Sequence, residues 1–249
     1  MSRHSVMNPL RAYYDNKHIS AINFVCPDEQ SCKYLSTDFV PAREANIGPG
    51  YEAGTLPRIL FISADAANEY PGRTPSRRTM DYQQQFHMKR GGDLCIKSDS
   101  PLWRETHLFA YEILNRVATR LGSTLNFGDI CMYFACVNSA KCKTQKGSGQ
   151  AKGHVFRNCQ KYIHDEIVFL QPDIIITQGV YARKSISGKF QVRENLANNC
   201  TEIDIEGRPV LKFETIHPSV RDNTFRIEKE KLYPLYYDLA QKFLQSWTP

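Results

Sequence analysis

"VFRNCQKYIHDEIVFLQPDIIITQGVYA", residues 155–182, is the stretch on which the fold turns. Phe156, Cys159, Ile163 and Ile167 recur at helical spacing, which predicts a helix that Pro172 ends. "DIIITQG" (173–179) follows, a continuous apolar run of strand length, read as a strand buried on both faces. Gly179 then leads into a short helix from about Val180. A helix, a buried strand and a helix in direct succession form the repeating unit of a parallel sheet covered by helices.

The same alternation extends in both directions. "RILFISA" (58–64) and "DICMYFACVN" (129–138) read as buried strands. Between them, Leu102, Leu108, Phe109, Ile113, Val117 and Leu121 fall near helical spacing, with Gly122 as a stop. "EIDIEGRPVLKFETIHPS" (202–219) has a hairpin-like turn at Glu206-Gly207, then a strand to Ile216 that delivers His217. A last helix, roughly 228 to 246, would bury Leu232, Leu235, Leu239 and Phe243. Residues 1–57 read as mostly irregular, and 66–100 as a polar, basic loop with some helix. The expectation is one α/β domain over 1–249 with four parallel strands. In such sheets ligands sit beyond the carboxyl ends of the strands. The residues at or just past those ends are Asp65, Asn138, Gly179 and His217.

Composition narrows the function. The 249 residues are 41% hydrophobic and 23% charged, ordinary for a globular protein. No apolar run approaches the roughly 18 residues of a membrane span, and "MSRHSVMNPLRAYYDNKH" lacks the apolar block of a signal peptide; the expectation is a cytoplasmic protein. A net charge of +6 suits a polyanionic partner. Eight cysteines in a reducing compartment point to metal binding or catalysis rather than disulfides. "SADAANEYPGR" is neither a dinucleotide fingerprint nor a P-loop, which argues against a nucleotide-binding protein.

Four segments, in order, resemble the uracil-DNA glycosylase superfamily, and most closely its iron–sulfur (family-4-like) branch. "FISADAANE" stands where that branch has Gly-Glu-Ala-Pro-Gly, and "CVNSAKC" is similar to its Thr-Asn-Val-Val-Lys-Cys. "FLQPDIIITQGVYA" resembles its Pro-strand-Leu-Gly-x-x-Ala segment, and "ETIHPS" its His-Pro motif. The resemblance runs from about Cys26 to the end. It implies a three-layer α/β/α sandwich around a central four-stranded parallel sheet, and hydrolysis of a base–deoxyribose bond on a nucleotide flipped out of DNA. It also implies a [4Fe–4S] cluster on Cys142 and Cys159 with Cys26 and Cys32, soft thiolates suiting such iron. Five residues separate Cys26 from Cys32 where the family has two. Read from the residues alone, the four cysteines also fit zinc or free thiols. Cys131 and Cys136, in an apolar run, read as core.

Breaking an N-glycosidic bond builds cationic charge on the sugar and anionic charge on the base. Asp65 is the candidate anion at the sugar; it holds the place of the classical enzymes' Asp, while the iron–sulfur branch's Glu would fall at Ala64. His217 would donate to the base O2, with backbone N–H groups near Ala64 and Asp65 assisting. Asn138 would read the pyrimidine edge, since an amide offers both a donor and an acceptor. The family's stacking Phe has no clean copy; Tyr82 and Phe86 are the rings at hand. Ala67 stands where the classical enzymes carry a Tyr that blocks substituents at C5, so the base is either uracil or a bulkier 5-modified pyrimidine such as occurs in viral DNA. Lys141, Lys143, Lys146 and Arg157 around the later cysteines, and Arg77, Arg78 and Lys89, are candidate phosphate contacts. Arg221 and Val220 would fill the gap left by the flipped base. The expected protein is a monomeric DNA glycosylase acting in repair or antiviral defence. The alternative is a non-catalytic DNA-binding or damage-sensing protein on the same fold.

Overall fold

Apolar runs with no alternation belong to strands covered on both faces, and those around Phe61 and Ile176 form the centre of the sheet. The computed structural model describes residues 4–33, 40, 42–64, 74–96, 101–142, 153–218, 220 and 223–248, with backbone alone at 87, 90–96 and 225. In chain order these form α1 (Met7–Asn16), α2 (Glu29–Lys33), β1 (Asn46–Ile47), α3 (Pro49–Ala53), β2 (Ile59–Ser63), α4 (Met80–Ile96) and α5 (Pro101–Arg120). Then follow β3 (Phe134–Asn138), α6 (Gly153–Leu170), β4 (Ile174–Gln178), α7 (Val180–Ile186), β5 (Gln191–Ala197), β6 (Cys200–Ile205), β7 (Arg208–Thr215) and α8 (Asn223–Phe243).

The strand order is β1-β3-β2-β4-β7-β6-β5. The four inner strands, β3-β2-β4-β7, are parallel. Antiparallel β1 extends one edge, and antiparallel β6 and β5 extend the other. The α/β class is observed, but the sheet is mixed and seven-stranded, not the four-stranded parallel one expected. The physical reason is plain at β5: "QVRENLA" is polar because it is an exposed, bulged edge strand, and edges are kept charged and irregular.

Alternation along the strands separates two cores. Leu60, Ile62, Ala135, Val137 and Ile175 face a core completed by α1, α6 and α7. Ile59, Phe61, Phe134, Ile174, Ile176 and Phe213 face one completed by α5 and α8. The connection from β2 to β3 places α5 on one face. The return from β3 to β4, on the far side of β2, places α6 on the other. The carboxyl end of β2 is therefore a switch point, where open α/β sheets form crevices.

One expectation about local structure is refined and another corrected. The described part of 1–57 is largely irregular, as expected, but it also holds the short elements α1, α2, β1 and α3. They are ordered by polar partners distant in sequence, which periodicity cannot reveal. The Glu52 carboxylate accepts from the Val6 and Met7 amides at 3.1 and 3.2 Å, at the start of α1. The Arg58 guanidinium, fully buried, donates to the carbonyls of His4, Tyr51 and Glu52 and to Gln171. The run 129–138 is also not all strand: Phe127–Met132 forms a 3-10 turn, and β3 begins at Phe134. Among the described residues no helix is long and apolar enough to cross a membrane.

Candidate functional site

The parallel register brings the strand ends level. Ser63 pairs with Asn138, and Gln178 with Thr215. Asn138, Ala64, Gly179 and His217 therefore stand along one rim, as expected from their order in the chain. The exit of β2 is pinned to that of β3. The Ser139 amide donates to the Ser63 carbonyl at 2.8 Å, and the Ala64 carbonyl accepts from both the Ala140 amide and the Ser139 hydroxyl at 2.9 Å. Asp65, Ala67, Lys143, Lys146 and Arg221 lie outside the described residues. Asp65 directly follows the doubly held Ala64 in sequence.

Beneath the rim runs a buried relay that the sequence did not suggest. The Ser63 hydroxyl donates to Gln178 Oε1, and Gln178 Nε2 donates to the Thr106 hydroxyl, both at 2.8 Å. These bonds fix the orientation of the Gln178 amide and tie β2, β4 and α5 together at the site floor.

His217 sits over Gly179. That glycine has φ +94°, and a Cβ there would stand 3.0 Å from the His217 Cβ, so only glycine lets the chain pass so close. Burial lowers the His217 pKa from 6.5, favouring the neutral imidazole. The residue is held from outside as well. The carboxylate of Glu228, on α8, accepts from the Ile216 amide at 2.8 Å. Glu228 is 5% exposed, and burial raises its own pKa. A cavity of about 590 Å³ opens beside His217, floored by Ala64, Gln178 and Gly179 and walled by Glu228. Val180, Val220 and Ile227 line it yet remain partly exposed, giving it an apolar mouth. Tyr82 and Phe86 are not among its lining residues. They stack on each other, centroids 6.3 Å apart, on α4, which packs against β1 and the 127–132 turn.

The four cysteines come from separate parts of the chain: Cys26 before α2, Cys32 within it, Cys142 after β3 and Cys159 on α6. The fold gathers them. The Cys142 thiol is pushed well up by burial first, then by the neighbouring sulfurs of Cys159, Cys26 and Cys32. Cys159 is pushed up to about 11 by burial, opposed by the Lys141 N–H and charge. Cys159 Sγ accepts from the Lys141 amide at 3.3 Å, and Cys32 Sγ from the Asn158 side chain at 3.4 Å. Cys26 Sγ lies 3.5 Å from the Tyr162 hydroxyl. Among the described residues no three His, Cys, Asp or Glu side chains stand close enough to share one metal ion.

Two of the candidate phosphate contacts, Lys141 and Arg78, are buried instead of exposed. Lys141 is 3% exposed, its ammonium 2.5 Å from the Glu166 carboxylate, so its charge is neutralised inside the fold. Arg78 is likewise buried. Arg77, Lys89 and Arg157 are exposed. Nothing local marks Lys141 as buried: its partner lies on a helix face visible only once α6 is packed. No family model matches the chain, and no curated protein matches its sequence.

Proposed function

We propose that the protein is a monomeric, monofunctional DNA glycosylase of the uracil-DNA glycosylase type, which hydrolyses the bond between deoxyribose and a flipped-out pyrimidine and leaves an abasic site. The observation that carries the reading is the rim itself: an amide, the exit leading to an acid, and a desolvated histidine over a glycine, level at the switch point of the sheet. In this reading Asn138 reads the base edge, and Asp65 orients water and stabilises the sugar cation. Water adds to C1′, the C1′–N1 bond breaks, and its electron pair leaves with the base. Asp65 takes the proton of the water. Neutral His217 donates a hydrogen bond to the base O2 as negative charge develops there.

Cys26, Cys32, Cys142 and Cys159 would hold an iron–sulfur cluster, which supplies a cross-link between the N-terminal segment and the loop after β3. Four thiols, three of them buried, whose sulfurs act on Cys142 and Cys159 and two of which accept N–H bonds, suit a polynuclear cluster. Burial raises the pKa of Cys32, Cys142 and Cys159, so binding there must displace protons.

The test is excision from duplex and single-stranded oligonucleotides carrying uracil or a 5-modified pyrimidine, read as strand scission at abasic sites. Turnover of at least one of them is expected. Asp65→Asn should lose at least 100-fold in rate, in line with the loss of a catalytic acid–base group (~10²–10⁴-fold), and should still bind DNA. Binding without turnover in the parent protein would favour the non-catalytic reading.

A further inference from the structure

Lys141 sits immediately before Cys142, where a lysine reads as a loop residue reaching for phosphate. Its surroundings oppose that. Lys141 is 3% exposed and Glu166 fully buried, with Nζ and Oε2 2.5 Å apart. The other Glu166 oxygen accepts from the Tyr14 hydroxyl at 2.7 Å, and that hydroxyl accepts from the Ala45 amide at 3.2 Å. On its other side, the Lys141 amide donates to Cys159 Sγ, and its carbonyl accepts from the Arg43 amide at 3.1 Å. A continuous polar path thus runs from α1 through Glu166 and Lys141 to the cysteines.

Stability alone does not account for such a pair. Two buried charges gain little over apolar residues of the same shape, and α6 is otherwise apolar on this face. What a charge pair supplies and an apolar pair does not is a fixed dipole. Its positive pole belongs to the residue bonded to Cys159 and adjacent to Cys142; its negative pole is turned to Tyr14. We propose that Lys141 and Glu166 are positioning residues for the iron–sulfur site: they lock the cysteine loop onto α6 and α1 and set a buried positive charge beside the thiolates. This rests on the cluster reading above. Cluster potentials depend on net charge and on hydrogen bonds to sulfur, so the cation beside the sulfurs should favour the more reduced, more negative state.

The experiment begins with the wild-type protein purified without oxygen and assayed for iron, acid-labile sulfide and a visible absorption band. Absence of all three overturns the cluster reading, and this proposal with it. With the cluster present, the reduction potential is measured by dithionite titration with dye mediators for Lys141→Met, Glu166→Gln and the double variant Lys141→Met/Glu166→Leu. Bleaching of the band in air is followed in parallel. Lys141→Met should shift the potential negative and bleach faster, and Glu166→Gln should shift it positive. The double variant should fall between them and melt near wild type. Should Lys141→Met fail to fold, Glu166→Gln and the double variant carry the test. Unchanged potentials, or shifts of the same sign for the two single variants, would overturn the proposal. So would a fall of about 1 in the salt slope of DNA binding on Lys141→Met, the signature of a phosphate contact.

Discussion

The two faces of the sheet are held by different physics. On the α5/α8 face, Phe109 packs edge-on against Phe61, Phe213, Tyr233 and Tyr237, with centroids 4.8 to 6.4 Å apart. That core is apolar area with aromatic geometry added. On the α1/α6 face, apolar packing is interrupted by the thiols and by Lys141, Glu166, Tyr14 and Glu44, these last four each tied to a specific partner. One face is filled mostly by apolar contacts, with Thr106, His107 and Glu228 among its buried polar side chains. The other requires partners to be kept or removed together, and it is the face that carries the candidate metal ligands.

The largest effects should separate the faces by their additivity. Phe109→Ala should cost about 3–5 kcal/mol, the range for deleting a buried phenylalanine, and no second substitution nearby should restore it. Lys141→Met alone should cost a similar ~3–5 kcal/mol because Glu166 is left buried without its countercharge, yet Lys141→Met/Glu166→Leu should return to within roughly 1–2 kcal/mol of the parent. Urea unfolding of the four proteins checks this. A double variant as unstable as the single one would remove the distinction between the faces.

The apolar face was also the more legible in the sequence. Runs such as Ile174–Gln178 and the spacing of Phe109, Ile113 and Val117 carry their burial in their own pattern. The strand ends followed from them, and with those ends Asn138, Gly179 and His217. The polar face was not legible, because its order lies in pairs distant along the chain: Tyr14 with Glu166, Glu52 with Val6, Arg58 with His4. A charged residue in isolation reads as exposed, which is why Lys141 and Arg78 both read as phosphate contacts in the sequence. Gln178 and Glu228 escaped notice for a related reason. One ends an apolar strand and the other lies in the first turns of an amphipathic helix, and neither position distinguishes a buried hydrogen bond from a solvated side chain.

Glu228 tests whether the polar rule extends to the rim. Its carboxylate is the partner of the Ile216 amide, one residue before His217. Glu228→Ala should cost about 1–3 kcal/mol, the penalty for a buried donor left unsatisfied, whereas Glu228→Gln keeps an acceptor and should cost less. If the bond serves mainly to place His217, Glu228→Ala should lower kcat on the excised base more than it raises KM. Thermal melts and steady-state kinetics on the same preparations separate the two contributions. Equal losses for the Ala and Gln variants would mean that the charge matters, and not the bond.

The smallest effect is electrostatic and confined to one ring. His217 is desolvated, so its folded-state pKa lies below the 6.5 of an exposed histidine. Burial disfavours the charged form, and the unfolded chain therefore binds the proton more readily on the acid side. The associated stability is complete above pH 6.5 and is lost as pH falls from there through the folded value. Titration of the His217 ring protons by NMR, assigned with His217→Gln, should give a midpoint below 6.5. Gly179→Ala, which sets a Cβ against the ring's own Cβ, should push His217 toward solvent and bring the midpoint back up. A midpoint at or above 6.5 in the parent protein would mean that a charged imidazole occupies the rim, and the neutral donor assigned to the departing base would have to be abandoned.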